Sequence, residues 1–330
     1  MPMSQTKPMT LVKPRRAKRD FLTLSDLSLA EARVVLDLAR ILKDERATNP
    51  ARRTSLLAGR SVAIVLEKAS TRTRVSFEVG VSQLGGYPVV LGLEGSQLGR
   101  GEPIRDTARV LAGYCDAIAY RTSSPVRLEQ MATASVPVIN ALSDDGHPVQ
   151  VLCDVFTIEE SFLRAGTPRP IAQHKIAFVG DGSSNMARSW VEAARIFGFK
   201  LALASPAEYL PPAAELEAAR AFVTVHHDPH EAVTGVDVVN TDVWTSMGQE
   251  AESAHRHEAF AGWTVNGDLM ARAAADAIVL HCLPAHRGEE IDDATIEGLQ
   301  SRVWDQAENR LHVQKALLVW LLGLAGEVKP

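Results

Sequence analysis

Six successive residues, Ser61-Val62-Ala63-Ile64-Val65-Leu66, form an apolar, β-branched run bounded by charge, and comparable runs recur along the chain. A strand with no polar alternation must be covered on both faces, the condition of a parallel sheet held between helices. Helical spacing fills the intervals: Val75 to Leu84 precedes the run Pro88 to Leu91, Ile104 to Ala112 precedes Ala117 to Tyr120, and Leu128 to Ala134 precedes Val136 to Asn140. That rhythm predicts βαβ units, not hairpins.

Ser28 and Glu31 have the S-x-x-E spacing of a capping box, so a first amphipathic helix is expected through Leu29, Val34, Leu38, Ile41 and Leu42. Pro148, after His147, is placed to start a long helix through Val151, Val155, Ile158 and Leu163 that crosses between domains. It ends in the linker-like Ala165-Gly166-Thr167-Pro168-Arg169-Pro170. A second alternating series follows: Ile176 to Val179, Asn185 to Phe197, Lys200 to Ala204, Ala213 to Phe222, Val236 to Asn240 and Ala277 to Leu280. With 330 residues and 46% hydrophobic content the chain can bury two cores. The expectation is an α/β protein of two domains, 1–150 and 151–311, each a parallel β-sheet flanked by helices. Ala316 to Leu324 is apolar nearly all round, so a terminal helix within 312–330 is expected to pack back on the first domain.

Charge narrows the partners. A formal net charge of −5 provides no overall positive field for nucleic acid. Lys13, Arg15, Arg16, Lys18 and Arg19 read as a solvated tail, and no apolar stretch approaches the roughly 18 residues of a membrane span. A soluble cytoplasmic protein is expected. Three widely spaced cysteines suggest neither a disulfide framework nor a zinc knuckle; Cys115 and Cys153 read as core thiols. His226, His227 and His230 with Asp228 read as a polar loop, and neither a metal nor a cofactor is expected.

The sharpest chemical signal follows the first apolar run: Glu67-Lys68-Ala69-Ser70-Thr71-Arg72-Thr73-Arg74, leading into a helix. Hydroxyls, two guanidinium groups and free backbone N–H groups at a helix N-terminus bind phosphate. The spaced glycines of a Walker loop are missing. Ser70-Thr71-Arg72-Thr73-Arg74 resembles the carbamoyl phosphate motif of the aspartate and ornithine carbamoyltransferases, and His147-Pro148-Val149-Gln150 resembles their second signature. Asp242-Val243-Trp244-Thr245-Ser246-Met247-Gly248, His281-Cys282-Leu283-Pro284 and Ala307-Glu308-Asn309-Arg310 are similar to the ornithine branch.

The resemblance implies carbamoyl transfer from carbamoyl phosphate to L-ornithine, in arginine metabolism, by a homotrimer. By that likeness Ser70, Thr71, Arg72 and Thr73 hold the phosphate, and Arg121, His147 and Thr73 reach the carbonyl oxygen. Gln150, Cys282, Leu283 and Arg310 orient the NH2 end, and Gln97 comes from a neighbouring subunit. Asn185 and Met247 would take the ornithine carboxylate, Asp242 and Ser246 its α-ammonium, while Cys282 with Asp242 orients the attacking amine. Ala69, Gly146 and Ser184 depart from the commonest family wording; Ser184 stands in the carboxylate pocket and could admit a modified amino acid. Two other readings compete. One is a carbamoyltransferase for putrescine or an acylated ornithine. The other is an NAD-dependent dehydrogenase suggested by Gly180-Asp181-Gly182, although the third glycine and the acidic strand end are missing. A binding protein on the same fold is argued against by the intact Arg72, Arg121, His147, Gln150 and Cys282.

Overall fold

The computed structural model describes residues 17–49, 54–94, 96–245 and 252–328. After a first helix α1 (Leu29–Thr48) come β1 (Ser61–Leu66), α2 (Thr71–Gln83), β2 (Tyr87–Gly92), α3 (Ile104–Tyr114), β3 (Ala117–Arg121), α4 (Pro125–Met131) and β4 (Val138–Leu142). The four strands make a parallel sheet in the order β2-β1-β3-β4. Val62 to Val65 are fully buried between helical layers, as an all-apolar strand requires. Ser28 caps α1 through the reciprocal bonds with Glu31 that the sequence spacing suggested.

The helix α5 (Pro148–Arg164) leads to β5 (Lys175–Val179), α6 (Asn185–Phe197), β6 (Lys200–Ala204), α7 (Ala213–Ala219), β7 (Val223–His226), α8 (Pro229–Ala232) and β8 (Val238–Thr241). Short helices α9 (Ser253–Ala259) and α10 (Gly267–Met270) precede β9 (Ile278–His281), and α11 (Asp293–Ile296) precedes α12 (Val303–Leu321). This second sheet is also parallel, in the order β7-β6-β5-β8-β9. The histidine segment therefore contains structure beyond a polar loop. His226 ends the edge strand β7, and His230 lies in the single turn α8.

The terminal helix starts at Val303, well ahead of residue 312. Its N-terminal half looks polar in sequence, yet Gln306, Asn309 and Arg310 are buried because their side chains bond to α5 and α2. Its C-terminal half packs Val313, Ala316, Leu317, Leu318 and Val319 into the core cluster shared with α1 and β1. A fully buried leucine contributes about 2 kcal/mol by desolvation alone, so a charge at Leu317 would detach this helix. Among the described residues no helix is long and apolar enough to cross a membrane.

Both sheets reverse strand order, the first between β1 and β3 and the second between β5 and β8. A crevice opens at such a reversal beyond the carboxyl ends of the strands. The two crevices face one cleft.

Candidate active site

The first wall is built by the turn after β1. Ser70 is the N-cap of α2: its Oγ accepts from Thr73 N at 3.3 Å and donates to Thr73 Oγ1 at 3.0 Å. The helix N-terminus and its unsatisfied N–H groups are thereby aimed at the cleft beside Ser70, Thr71 and Arg72. Of the two arginines in the motif only Arg72 lines the cleft; Arg74 turns outward to Glu78 at 3.4 Å. Its place is taken by Arg121 from the end of β3 and Arg310 from α12. Glu67 secures that strand end. It accepts from Tyr120 Oη, Thr122 Oγ1 and Arg127 Nε, and its N–H donates to the Arg121 carbonyl at 2.9 Å.

His147 caps α5 at the end of the turn after β4, and its N–H donates to Ser189 Oγ on α6 at 2.8 Å. Burial first, then Arg310, Arg121 and Arg72, hold its imidazole well below the ordinary range. A neutral ring offers one donor and one acceptor among three guanidinium groups. Burial lowers Arg121 as well and brings Arg310 down to about 10, so at neutral pH Arg310 remains a cation. The site is a concentrated positive field.

The opposite wall comes from the second sheet. Asn185 opens α6 after β5, Asp242 follows β8 and Cys282 follows β9; all three line the cleft. The Cys282 thiol donates to Asp242 Oδ1 at 3.2 Å, and that oxygen also accepts Val243 N–H at 2.8 Å. Burial raises Asp242, and burial together with the Asp242 charge raises Cys282 well above the usual thiol range. Cys282 is therefore a thiol at neutral pH, suited to orienting and unsuited to nucleophilic attack. Leu283 takes φ +60°, which a leucine adopts only when its surroundings impose it, and its N–H donates to His281 Nδ1 at 2.8 Å.

Ser70, Thr71, Arg72, Arg121, His147, Asn185, Asp242, Cys282, Leu283 and Arg310 thus share one cleft of about 670 Å³. Thr73 and Gln150 lie buried behind it. Gln97 is exposed in a turn after β2, outside the cleft lining. Ser246 and Met247 fall outside the described residues. Ser184 caps α6, its Oγ accepting from Ala187 N at 3.2 Å. The Gly180-Asp181-Gly182 pattern has a steric cause: a Cβ at Gly182 would lie 2.7 Å from the Tyr209 carbonyl oxygen. Sequence reasoning left out Asp144, Ser253, His257, His286 and Glu289 of the lining. They are polar residues in loops and short helices, with no spacing to mark them.

Among the described residues two groups bring possible metal donors within 4.8 Å of one another: Asp242, His281 and Cys282, and His286, Glu289 and Glu290. In the first, both ring nitrogens of His281 are engaged. Nδ1 accepts Leu283 N–H, so Nε2 carries the hydrogen and donates to Glu290 at 2.9 Å. In the second, Glu290 is tied to that same histidine and to His286 N–H.

Residues 19–160 match the family described as aspartate/ornithine carbamoyltransferase, carbamoyl-P binding domain, and residues 172–321 match its Asp/Orn binding domain. The chain belongs to the aspartate/ornithine carbamoyltransferase family. Within that family it is 67% identical over 310 residues to the ornithine carbamoyltransferase of Sorangium cellulosum, covering 93% of this chain and 99% of the relative. The solved structure of the Pyrococcus furiosus ornithine carbamoyltransferase aligns with TM-score 0.86 at 42% identity, covering 93% of this chain and 98% of that one. The Thermus thermophilus ornithine carbamoyltransferase aligns with TM-score 0.83 at 40% identity, covering 92% and 99%. Carbamoyltransferase architecture therefore accounts for both sheets and for the cleft between them.

Proposed function

We propose that this chain transfers the carbamoyl group of carbamoyl phosphate to the δ-amine of L-ornithine, giving L-citrulline and phosphate. One observation carries the reading: Arg72, Arg121, Arg310, His147 and the α2 N-terminus face Asn185, Asp242 and Cys282 across a single cleft. An anionic donor and a zwitterionic amine fit those two walls.

In this reading the phosphate sits on Ser70, Thr71, Arg72 and the N–H groups of α2. Arg121 and His147, backed by Thr73, receive the carbonyl oxygen, which gains negative charge as the amine adds; each such donor is worth on the order of 3 kcal/mol at the transition state. Gln150, Arg310 and the backbone carbonyls of Cys282 and Leu283 hold the NH2 end. Asn185 and Met247 take the ornithine carboxylate, and Asp242 with Ser246 takes the α-ammonium. The δ-amine must attack unprotonated although its free pKa is near 10.4, so a proton leaves it before or during addition. The C–N bond forms, the carbonyl carbon releases its bond to the phosphate oxygen, and the departing phosphate takes the second proton, which the nitrogen sheds as it becomes an amide. Cys282 and Asp242 contribute by orientation, since near-attack geometry supplies several kcal/mol.

Gln97 lies outside its own cleft, which favours a neighbouring copy supplying it; that the assembly is a homotrimer is what the family likeness implies. The carbamoyl phosphate half is 1–150 with the terminal helix, the ornithine half is the remainder, and a cytoplasmic location is part of the same reading. Turnover with ornithine against putrescine tests it. Putrescine lacks the carboxylate that Asn185 would hold, so ornithine should be preferred by at least about a hundredfold in kcat/KM. Preference for putrescine overturns the assignment.

A further inference from the structure

We propose that Asp154 is a positioning residue that sets which face of the Gln150 amide meets the carbamoyl group, through one carboxylate oxygen that Gln150 shares with Gln306. The inference rests on the carbamoyl-transfer reading of the same site.

Asp154 lies on α5 one turn beyond Gln150 and is fully buried. Its Oδ1 accepts from Gln150 Nε2 at 2.8 Å and from Gln306 Nε2 at 2.7 Å. A carboxylate oxygen offers lone pairs only, so both amides must turn their NH2 groups toward it. For Gln150 this directs Oε1 away from Asp154, and that oxygen is buried without a hydrogen-bond partner among the described residues. For Gln306 it frees Oε1 to accept His281 N–H at 2.9 Å, at the point where β9 runs out into Cys282 and Leu283.

The polarity matters because the two ends of an amide are nearly the same size and differ only in donating or accepting. Carbamoyl phosphate ends in an NH2 group whose useful hydrogen bonds are donated. Gln150 can receive it with an oxygen; with its own NH2 it would set donor against donor. The Asp154 oxygen therefore gives Gln150 the sense the substrate needs. Burial raises the Asp154 carboxyl to about 7, against the lowering by the two amides and Arg310. A proton taken up there has the unpartnered Oδ2 to occupy, which leaves Oδ1 an acceptor in either state.

A double-mutant cycle on the full-length chain tests this, with kcat/KM for carbamoyl phosphate measured in the parent, Asp154→Ala, Gln150→Ala and the double variant. Asp154→Ala should lower it by roughly thirtyfold in the parent and by less than about threefold in the Gln150→Ala background, because the residue acts through Gln150. Competitive inhibition by inorganic phosphate should stay within about threefold in every variant, since phosphate is held at the α2 terminus. Equal losses in both backgrounds overturn the proposal while leaving the function intact. A parent chain that carbamoylates no amine removes the functional reading and the proposal with it. Should Asp154→Ala lose phosphate inhibition together with its far-UV spectrum, the cycle is run with Asp154→Leu, which nearly keeps the volume and offers the pair no acceptor. Coupling with Gln150 is expected there too, and additivity overturns the proposal equally.

Discussion

Arg310 donates from Nη2 to Thr73 Oγ1 at 3.1 Å, although 237 positions separate them in the chain. That bond pins the terminal helix α12 to the first turn of α2, where the anion pocket begins. Thr73 Oγ1 also accepts the Ser70 hydroxyl at 3.0 Å. With two donors on its oxygen, the Thr73 hydroxyl hydrogen remains for a third partner.

Thr73→Val keeps the shape and removes the hydroxyl, leaving a buried guanidinium short of an acceptor. A loss of about 2 kcal/mol in urea unfolding is expected, with a fall of at least about tenfold in kcat/KM for carbamoyl phosphate. Unchanged stability would detach Arg310 from this role.

Cys282 should resist alkylation at pH 8 despite lining the cleft, because burial and then the Asp242 charge keep it protonated. Asp242→Asn removes the charge while keeping an acceptor oxygen. Iodoacetamide labelling of Cys282, followed by peptide mass spectrometry, should accelerate by about tenfold. Equal or slower labelling would contradict the coupling.

His312 on α12 is 1% exposed, and burial, then Lys315, Lys43 and Arg46, push its imidazole down to about 3. The unfolded ring binds a proton below about pH 6.5 and the folded ring does not until near pH 3, so its contribution is present above pH 6.5 and is lost as pH falls through that window. Between pH 7 and pH 4.5 the parent should lose about 2 kcal/mol more unfolding free energy than His312→Asn. Parallel losses in the two proteins would contradict the buried neutral ring.

Arg256 donates from Nη1 to Asp181 Oδ2 at 2.6 Å and to the Trp244 carbonyl at 2.9 Å, and its guanidinium stacks over Tyr209. Arg256→Leu leaves Asp181, 2% exposed, without its cation. A loss of about 3 kcal/mol in thermal unfolding is expected. The KM for ornithine should rise as well, since Trp244 leads into the segment that carries Ser246. A variant as stable as the parent would show that the pair is dispensable.

Where local chemistry and tertiary packing agree, the elements were legible from sequence alone. Asn185–Phe197 was anticipated to the residue because Ser184 caps it and Gly198 ends it in the left-handed region. The turn after β1 was legible for the same reason: strand, hydroxyls, arginine and helix follow one another without interruption. The first half of α12 was hidden because its buried face is polar, with Gln306 and Asn309 bonded to Asp154 and Thr157. Binary patterning reads such residues as solvent-facing. β7 was missed as a strand because it is short and at an edge, with Thr224 and Val225 exposed. Asp154 went unread although Gln150 stands four residues before it on the same helix; its other partner, Gln306, is 152 positions away.

Citrulline formation by the purified chain from carbamoyl phosphate and L-ornithine, measured beside Arg72→Ala, decides whether this cleft transfers carbamoyl. Citrulline is expected from the parent, with a fall in kcat/KM of at least about a thousandfold in Arg72→Ala and an unaltered far-UV spectrum. No citrulline from the parent, or equal rates in the two proteins, would contradict that role.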